Sequence, residues 1–290
     1  MTTILITGGA GSFGRTLAAS LKREGTSLRI FDLPQCNFDF FQDWEDAEIM
    51  PGNILDLAAL KEAVRGVDLI YHLAAVLPPA SEEDRARTFR VNVQGTENLL
   101  AACYGSGGNP GIVFASSVSV YGDTTGYSGL IGPDYPVNPN DWYAESKVAA
   151  EQLLVASSFP TANLRISGIV IPAFLDPPEP WPFRPQQRIE LLALSDLIKA
   201  LGALAEGRPE AFGRTLLLAG GPSWQITGEK YVGRWGEIMD IPLEEMAFMD
   251  RPGWFNWYDT EVSAALLSYQ ETSLDIFYSQ LEKAVQEAMA

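Results

Sequence analysis

Apolar positions in the first 171 residues alternate between short strand-like runs and longer stretches with one apolar face. The short runs predict six strands, and the longer stretches predict the helices between them. The predicted strands are Thr2–Thr7, Ser27–Phe31, Ala47–Met50, Val67–His72, Gly111–Ser116 and Thr161–Ile171. The predicted helices are Ser12–Glu24, Asp56–Val64, Ala86–Tyr104 and Trp142–Ser158. This alternation predicts an α/β fold with a doubly wound parallel sheet and helices on both faces.

The pattern changes after residue 171. Six prolines within fourteen residues exclude a regular helix or a central strand there; they are Pro172, Pro177, Pro178, Pro180, Pro182 and Pro185. A helix is expected at Ser195–Glu206, with Ser195 or Asp196 as its N-cap, followed by a buried strand at Thr215–Ala219. A last amphipathic helix is expected near Leu274–Met289. Residues 1–171 therefore predict one domain, with 194–220 packing back onto it, and 172–193 with 221–290 predict a second, smaller domain.

Composition limits the classes of function. The 290 residues include 47% hydrophobic and 20% charged positions, which is typical of a globular protein. A net charge of −17 argues against nucleic acid and anionic membrane surfaces as partners. No apolar run is long enough to span a bilayer and no secretion signal is visible, so a soluble cytoplasmic protein is expected. Cys36 and Cys103 do not form a disulfide framework, and a single histidine, His72, excludes a multi-histidine metal centre.

A glycine-rich turn joins the first predicted strand to the first predicted helix. Its sequence is Gly8-Gly9-Ala10-Gly11-Ser12-Phe13-Gly14. Gly8 permits a tight turn, Gly11 lets a pyrophosphate approach the backbone, and Gly14 lets helix and strand pack closely. The free N–H groups of a helix N-terminus then face the phosphates. In this strand–turn–helix context the motif predicts dinucleotide binding, with Ser12 and Phe13 beside the cofactor.

Asp32 ends the second predicted strand. A carboxylate there accepts hydrogen bonds from the adenosine ribose and repels a 2′-phosphate, so NAD is favoured over NADP. An alternative is that Asp32 merely starts the turn before Pro34. Arg15, next to the last glycine, is the residue that would argue for NADP.

Tyr143 and Lys147 are four residues apart on a predicted helix and therefore project from one face. An ammonium group near a phenol favours the phenolate, which makes the tyrosine a usable general acid or base. Ser116 and Ser117 end a strand at the carboxyl edge of the sheet, where open α/β sheets bind ligands. A serine hydroxyl there would hydrogen-bond the substrate oxygen that the tyrosine protonates.

Together these motifs resemble the extended short-chain dehydrogenases/reductases of the NAD-dependent epimerase/dehydratase kind, which have a Rossmann fold. The matching segments occur in the family's order over about residues 3–172. They are Gly8–Gly14, Asp32, Gly52–Asp56, His72–Ala75, Asn92–Thr96, Ser116–Gly122 and Tyr143–Lys147.

The resemblance implies roles for individual residues. Tyr143 would be the proton donor or acceptor, and Lys147 would bind the nicotinamide ribose and lower the tyrosine pKa. Ser117 would orient the substrate oxygen, with Ser116 as its nearest competitor. The remaining cofactor contacts would come from Asn53 and Ile54 along the adenine and from the channel residues Leu73, Ala74 and Ala75. The family usually has Asp where Asn53 stands. His72, Asn92 and Thr96 are interpreted as core, capping or packing residues.

Departures from the family pattern separate the possible reactions. Val118-Ser119 replaces the acidic pair of sugar-nucleotide 4,6-dehydratases, so the general acid for eliminating water is missing. Gly168 stands where sugar-nucleotide epimerases resemble one another in having an Asn that contacts the substrate diphosphate. Arg184 and Arg188 are possible substitutes for the arginine grip on UDP, or plain surface residues.

The sequence therefore favours an NAD-dependent oxidoreductase that interconverts a ketone or aldehyde and an alcohol on a non-nucleotide small molecule. An apolar pocket containing Trp181 and Phe183 would suit a hydrophobic substrate; alternatively these aromatics form the core of the small substrate-binding domain. Two other functions stay open: a nucleotide-sugar epimerase, and a catalytically silent NAD-binding regulatory protein. The resemblance also implies a homodimer formed through the helices at Ala86–Tyr104 and Trp142–Ser158.

Overall fold

Seven parallel strands form the main sheet of the computed structural model, which describes residues 1–289. These residues form eleven strands in all, of which four belong to two small two-stranded sheets, β7 with β9 and β8 with β11. They are β1 (Thr2–Thr7), β2 (Thr26–Asp32), β3 (Ala47–Pro51), β4 (Leu69–His72), β5 (Gly111–Ser117), β6 (Thr161–Ile166), β7 (Gly168–Val170), β8 (Arg188–Ile189), β9 (Leu191–Ala193), β10 (Arg214–Leu218) and β11 (Ile226–Thr227). The order in the main sheet is β10-β6-β5-β4-β1-β2-β3. The predicted α/β fold with a parallel, doubly wound sheet and a smaller C-terminal part is confirmed.

Helices cover both faces of this sheet. They are α1 (Ser12–Leu21), α2 (Leu57–Ala63), α3 (Arg85–Phe89), α4 (Gly95–Ser106), α5 (Trp142–Ala156), α6 (Leu194–Ala205), α7 (Gly228–Met239), α8 (Glu261–Leu267) and α9 (Leu274–Met289). One apolar core joins α1, α6 and α8 to the sheet, and a second joins α2, α4 and α5 to the opposite face. The inner strands β4 and β6 are buried along their whole length, as expected for a sheet covered on both faces.

The chain reverses its direction of progress across the sheet between β1 and β4. From β1 it proceeds to β2 and β3 on one side, and then returns to β4, β5, β6 and β10 on the other. In open α/β sheets such a switch point leaves a crevice at the carboxyl ends of the two central strands. The loops that follow β1 and β4 therefore meet there, which is where the predicted cofactor segments lie.

Two predicted elements are interrupted in the structure. The expected helix Ala86–Tyr104 consists of α3 and α4 joined by a π-helical turn at Arg90–Gln94. The expected strand Thr161–Ile171 ends at Ile166, and the chain after Ser167 continues as β7, which pairs with β9 in a separate small sheet. Both interruptions occur at the carboxyl edge of the main sheet.

The predicted N-cap of α6 is wrong. The helix begins after Ala193, which offers no side-chain cap. Asp196 instead lies inside the first turn, where its carboxylate accepts hydrogen bonds from the backbone of Glu271 and from the backbone and hydroxyl of Thr272. The carboxylate of Asp196 therefore binds the distant segment Glu271–Thr272 and does not cap the N-terminus of α6.

The C-terminal aromatics form a core of their own. Trp181 and Phe183 pack with Trp224, Tyr231 and Trp235 against α7 and α9. Trp181 is 6% exposed and Phe183 is 1% exposed. Their burial agrees with the alternative in which these aromatics form a core of the C-terminal part.

Two polar side chains connect the C-terminal segments. Gln187 donates to the carbonyls of Gly253 and Phe255 and accepts from the backbone N–H of Gly253. The fully buried Glu190 accepts from the backbone N–H groups of Gly221 and Tyr258. These bonds hold β8, the loop after β10 and the 253–258 segment together.

Within residues 1–289, no helix has the length and apolar character needed to cross a membrane. The same residues contain no group of three or more His, Cys, Asp or Glu side chains arranged to hold a metal ion.

Candidate active site

The glycine-rich loop after β1 is shaped by close backbone contacts. Gly8 has φ +73°, and a Cβ there would lie 2.9 Å from the backbone nitrogen of Ala74. A Cβ on Gly14 would lie 2.4 Å from the carbonyl oxygen of Gly8, so α1 packs directly on the loop. These contacts require glycine at both positions. The first-turn N–H groups of α1 consequently point to the crevice above the sheet.

A cavity of about 770 Å³ opens from this loop. All the loop and strand-end residues assigned to the cofactor by the sequence line it: Gly8, Gly11, Ser12, Phe13, Gly14, Asp32, Asn53, Ile54, Leu73, Ala74 and Ala75. A helix N-terminus, a glycine cradle and a mostly apolar wall are the features that a dinucleotide requires. The residues present therefore fit NAD.

Asp32 and Asn53 stand at one end of this cavity. Asp32 accepts hydrogen bonds from the backbone N–H of Ala10 at 3.0 Å and of Leu33 at 2.8 Å. These bonds fix its carboxylate and leave lone pairs free toward the cavity. Asn53 closes its own turn by accepting from the N–H of Leu55 at 3.0 Å. At the position where the family usually has Asp, the amide oxygen of Asn53 is therefore the hydrogen-bond acceptor. Arg15 is absent from the cavity lining.

Sequence reasoning missed part of the cavity wall. The added residues include Gln35 and Cys36 after β2, Val76, Leu77 and Ala80 after β4, and Arg87, Arg90 and Val91 from α3 and the π-helical turn. The interruption of the predicted helix brings the last three to the cavity. Because no motif marks these positions, only their proximity in the fold could identify them.

Tyr143 and Lys147 lie on α5, next to the end of β5, and neither belongs to the cavity lining described above. The buried Lys147 donates from Nζ to the carbonyl oxygen of Ala115 at 2.7 Å. Its ammonium is 5.5 Å from the centroid of the Tyr143 ring and 4.8 Å from that of Phe114. Asp141 begins α5 as its N-cap and accepts from the N–H of Ala144 at 2.7 Å.

Burial controls the protonation of both groups. It raises the pKa of Tyr143 well above the ordinary value, and Asp141 adds to the effect, while the neighbouring Ser117 hydroxyl acts against it. Burial lowers the pKa of Lys147 to about 8, with Glu151 acting in the opposite direction. Desolvation of the phenolate is thus the first cause of the raised pKa of Tyr143, and an effect of Lys147 on that pKa stays a prediction.

The two serines at the end of β5 point to different partners. Ser117 faces Tyr143, and its Oγ accepts from the N–H of Ser119 at 3.1 Å. Ser116 donates to the buried carboxylate of Glu151 and is turned away from the tyrosine. Successive residues of a strand project to opposite faces, which accounts for the difference. The geometry favours Ser117 as the hydroxyl beside the phenol.

A buried ion pair lies behind the strand. Arg165 on β6 makes two hydrogen bonds to Glu151, at 2.7 and 3.1 Å, and a third to the hydroxyl of Tyr121 at 2.8 Å. Glu151 is one helical turn after Lys147, so this network fixes the helix that carries both site residues.

His72, Asn92 and Thr96 are structural residues in this arrangement. The buried His72 ring contacts the hydroxyls of Thr7 at 2.8 Å and Thr96 at 2.9 Å, and burial lowers its pKa to about 3. Asn92, in the π-helical turn, accepts from the N–H of Val76 at 2.7 Å and donates to Ser146 at 2.9 Å. A neutral histidine held in this way is not available as a catalytic base.

Comparison with known proteins places these features in a family context. Residues 4–172 match the model of the NAD dependent epimerase/dehydratase family. A curated relative is the 3 beta-hydroxysteroid dehydrogenase/Delta 5-->4-isomerase of Mycobacterium tuberculosis, 35% identical over 179 residues. The match covers 57% of this chain and 46% of that protein, so the chain spans about half the length of this curated relative.

Solved structures share the fold over nearly the whole chain. A short-chain dehydrogenase/reductase superfamily protein from Agrobacterium tumefaciens with bound NAD is 24% identical, with a TM-score of 0.81, covering 99% of this chain and 98% of that one. The UDP-glucuronic acid 4-epimerase from Bacillus cereus, in complex with UDP-glucuronic acid and NAD, is 20% identical with a TM-score of 0.81, covering 99% and 100%. At these identities the likeness shows a common fold alone.

Proposed function

Because the chain belongs to the NAD dependent epimerase/dehydratase family, we propose that it is an NAD-dependent oxidoreductase of a non-nucleotide small molecule. The reaction interconverts a ketone or aldehyde and the corresponding alcohol. The observation that carries this proposal is the packing around Gly168, at the position where nucleotide-sugar enzymes resemble one another in having an Asn.

A side chain at that position would require two apolar neighbours to shift. A Cβ on Gly168 would lie 2.8 Å from both Leu191 and Phe255. Two apolar side chains therefore occupy the space in which an amide would reach a substrate diphosphate. A site built around a second diphosphate needs polar donors at this point.

The arginines available as substitutes are engaged elsewhere. Arg184 donates from Nε to the carbonyl oxygen of Asp250 at 2.7 Å. Arg188 donates to the carbonyl of Ser128, and its guanidinium lies 4.2 Å from the Trp257 ring centroid. Redirecting either group to a diphosphate would break these contacts. A neutral substrate is consistent with these contacts and with the acidic net charge.

Apolar side chains follow β6 at the edge that holds Ser117. The exposed members of this group are Ile169, Ile171, Phe174 and Leu175. Exposed apolar side chains beside a catalytic site suit a hydrophobic substrate surface. The steroid dehydrogenase among the relatives supports an apolar alcohol or ketone as the substrate class. We assign substrate binding to 172–193 and 221–290, around the cofactor domain 1–171 and 194–220.

Bound NAD supplies the hydride acceptor or donor at its nicotinamide ring. Gly8–Gly14 and the N-terminus of α1 would hold its diphosphate, and Asp32 would accept from the adenosine ribose, which favours NAD over NADP. Asn53 and Ile54 would line the adenine.

The chain's own residues handle the proton. Ser117 and Tyr143 would both hydrogen-bond the substrate oxygen, and Lys147 would hold the nicotinamide ribose beside the phenol. Because its pKa is raised, Tyr143 carries its proton at neutral pH and donates it to the oxygen as the carbonyl is reduced. In the oxidative direction the same phenol must first lose that proton, so this direction is favoured by higher pH.

A homodimer through α4 and α5 is part of the proposal. The two helices pack side by side, and Tyr104 and Val155 leave apolar side chains exposed on them. Light scattering of the purified protein gives the mass that decides between one copy and two.

The test is Tyr143→Phe, assayed with NADH against a panel of apolar ketones and with NAD⁺ against the alcohols. We expect kcat to fall about 100- to 10,000-fold, the range of a lost general acid, with NAD binding nearly unchanged. Tyr127→Phe, which removes an exposed hydroxyl that makes no hydrogen bond within residues 1–289, is the control and keeps full activity. Undiminished turnover by Tyr143→Phe would contradict the proposed mechanism.

A UDP-sugar panel tests the epimerase alternative. Robust formation of an epimerised sugar would overturn the oxidoreductase proposal. A protein that binds NAD but turns over neither panel would instead indicate the silent regulatory alternative.

A further inference from the structure

The segment between β4 and α3 contacts both the cofactor cavity and the catalytic helix. Val76, Leu77 and Ala80 line the cavity. Glu82, two residues further, lies at the first turn of α5 and is exposed to solvent. The reaction proposed above does not use this carboxylate, so its position needs another explanation.

Glu82 accepts two hydrogen bonds from the backbone of α5. Its Oε1 accepts from the N–H of Tyr143 at 3.0 Å, and its Oε2 accepts from the N–H of Trp142 at 3.0 Å. The buried Ser81 hydroxyl donates to Oε1 at 2.9 Å and orients the carboxylate. First-turn N–H groups have no acceptor within their own helix. Here a carboxylate from another element supplies it, through charge-assisted bonds that are stronger than neutral ones.

The residues that follow this segment, in α3 and the π-helical turn, hold α5 at two further points. Arg85 forms an ion pair with Glu145 at 3.1 Å. Asn92 donates to Ser146 while it binds both backbone groups of Val76. Of the contacts described within residues 1–289, however, the one from Glu82 is the one that binds the N–H of Tyr143 itself.

We propose that Glu82 is a positioning residue: it couples the wall of the cofactor cavity to the backbone of Tyr143, so that NAD binding fixes the phenol for proton transfer. NAD and the role of Tyr143 in this statement rest on the proposed function, but the contacts that run from the cavity wall to the helix do not. Cofactor binding restrains Val76–Ala80, and this restraint reaches α5 through the carboxylate.

The experiment is amide hydrogen exchange of the full-length protein with and without saturating NAD. In the unmodified protein NAD slows exchange at Gly11–Gly14, which reports binding, and also at Trp142 and Tyr143, which reports coupling. In Glu82→Gln, whose amide group cannot accept from the second N–H, the NAD-dependent slowing at Trp142 and Tyr143 falls about tenfold or more. The slowing at Gly11–Gly14 stays.

Glu83→Gln is the matched control, because it removes the same charge from the exposed neighbouring residue, whose side chain makes no hydrogen bond within residues 1–289. We expect this variant to show the same NAD-dependent slowing of exchange at Trp142 and Tyr143 as the unmodified protein. A general loss of stability would speed exchange in both states and leave the NAD-dependent difference in place.

Two results overturn the proposal: no effect of NAD on Trp142 and Tyr143 in the unmodified protein, or an undiminished effect in Glu82→Gln. Absence of NAD protection at Gly11–Gly14 would instead contradict the cofactor part of the proposed function, and the coupling with it. The exchange experiment uses only the protein and NAD, so its result decides the proposal even if the protein turns over no carbonyl substrate.

Discussion

The ammonium group of Lys147 is buried against the carbonyl oxygen of Ala115 and the ring of Phe114. Its surroundings favour loss of the proton, which brings its pKa to about 8. The phenol of Tyr143 keeps its proton for the same reason, since both charged forms lose hydration. In the reaction proposed above, the phenol of Tyr143 would therefore be ready to donate its proton at neutral pH.

We expect the reductive reaction to show a single decline centred near pH 8. Lys147 is protonated below its pKa of about 8, so its charge is present there and is lost as the pH rises. Rates of NADH oxidation between pH 6 and 9.5 measure this. Lys147→Arg is the control, because a guanidinium stays charged throughout that range. A decline of the same midpoint in an active Lys147→Arg enzyme would show that another group titrates.

At this scale the sequence predicted residue identity better than side-chain direction. The motif positions Tyr143 and Lys147 lie together on α5, as their spacing of four residues predicts. The resemblance favoured Ser117 and left Ser116 as its nearest competitor, because strand alternation separates their faces without saying which face holds the tyrosine. The direction of each hydroxyl is decided by its partner, which is Glu151 for Ser116 and Tyr143 for Ser117. Each partner lies more than 25 positions away along the chain.

The elements around the site depend on two close contacts that single substitutions can test. The first is the approach of α1 to the loop after β1 at Gly14, and the second is the pairing of α5 with β6 through Glu151 and Arg165.

Gly14→Ala should lower NAD affinity by about tenfold or more, because the new methyl group would lie 2.4 Å from the carbonyl oxygen of Gly8 and must push α1 away from the loop. Titration with NADH fluorescence measures the affinity. Gly202→Ala is the matched control: it lies inside α6, has no atom within 4 Å of its Cβ, and should gain about 0.5–1 kcal/mol of helix stability. Equal affinities in the two variants would contradict the packing argument.

Glu151→Ala should reduce the free energy of unfolding by about 3–5 kcal/mol, since it leaves the buried Arg165 guanidinium without its carboxylate. Urea denaturation gives this value. Glu237→Ala breaks the exposed pair with Arg234 and should cost less than about 1 kcal/mol. If both losses were equally small, the buried pair would not be holding α5.

At the scale of elements, the sequence did not predict where a helix is interrupted. Residues Ala86–Tyr104 carry no proline and read as one helix, yet the π-helical turn at Arg90–Gln94 divides them. The turn is stabilised by Asn92 bonding to Val76 and Ser146, which are contacts between elements. Such turns add a residue to one helical turn, are frequent at functional sites, and leave no local sequence signal.

For the molecule as a whole, the charge of −17 opposes an anionic cofactor. Arg87 and Arg90 are the exception at the cavity, since both line it and their guanidinium groups have no hydrogen-bond or ion-pair partner within residues 1–289. They provide a local positive potential where the net field is negative.

Arg87→Ala combined with Arg90→Ala should slow NADH association and weaken its dependence on salt, because fewer positive charges then attract the cofactor. Stopped-flow fluorescence at several ionic strengths measures both quantities. Arg234→Ala, which removes an exposed charge paired with Glu237, should change neither. Identical salt dependence in all three proteins would exclude a steering role.

The two halves of the molecule differed in how far sequence could predict them. Local motifs define the cofactor half, and its strand order follows from βαβ rules. In the C-terminal half, Glu190 joins Gly221 and Tyr258, which are 31 and 68 residues away, and no periodic pattern encodes such bonds. The aromatic residues there were assigned to a pocket or a core, and only packing distinguished the two.

The position of β10 has a consequence for how the protein is made. This strand pairs with β6, although 47 residues separate Ile166 from Arg214. While the ribosome is still adding the intervening chain, β6 is an open edge with unpaired backbone groups, a form that invites association with other chains. The family-matched region 4–172 ends before the strand that closes this edge. Folding of the cofactor domain is thus completed only after the whole proline-rich segment, residues 172–185, has been synthesised.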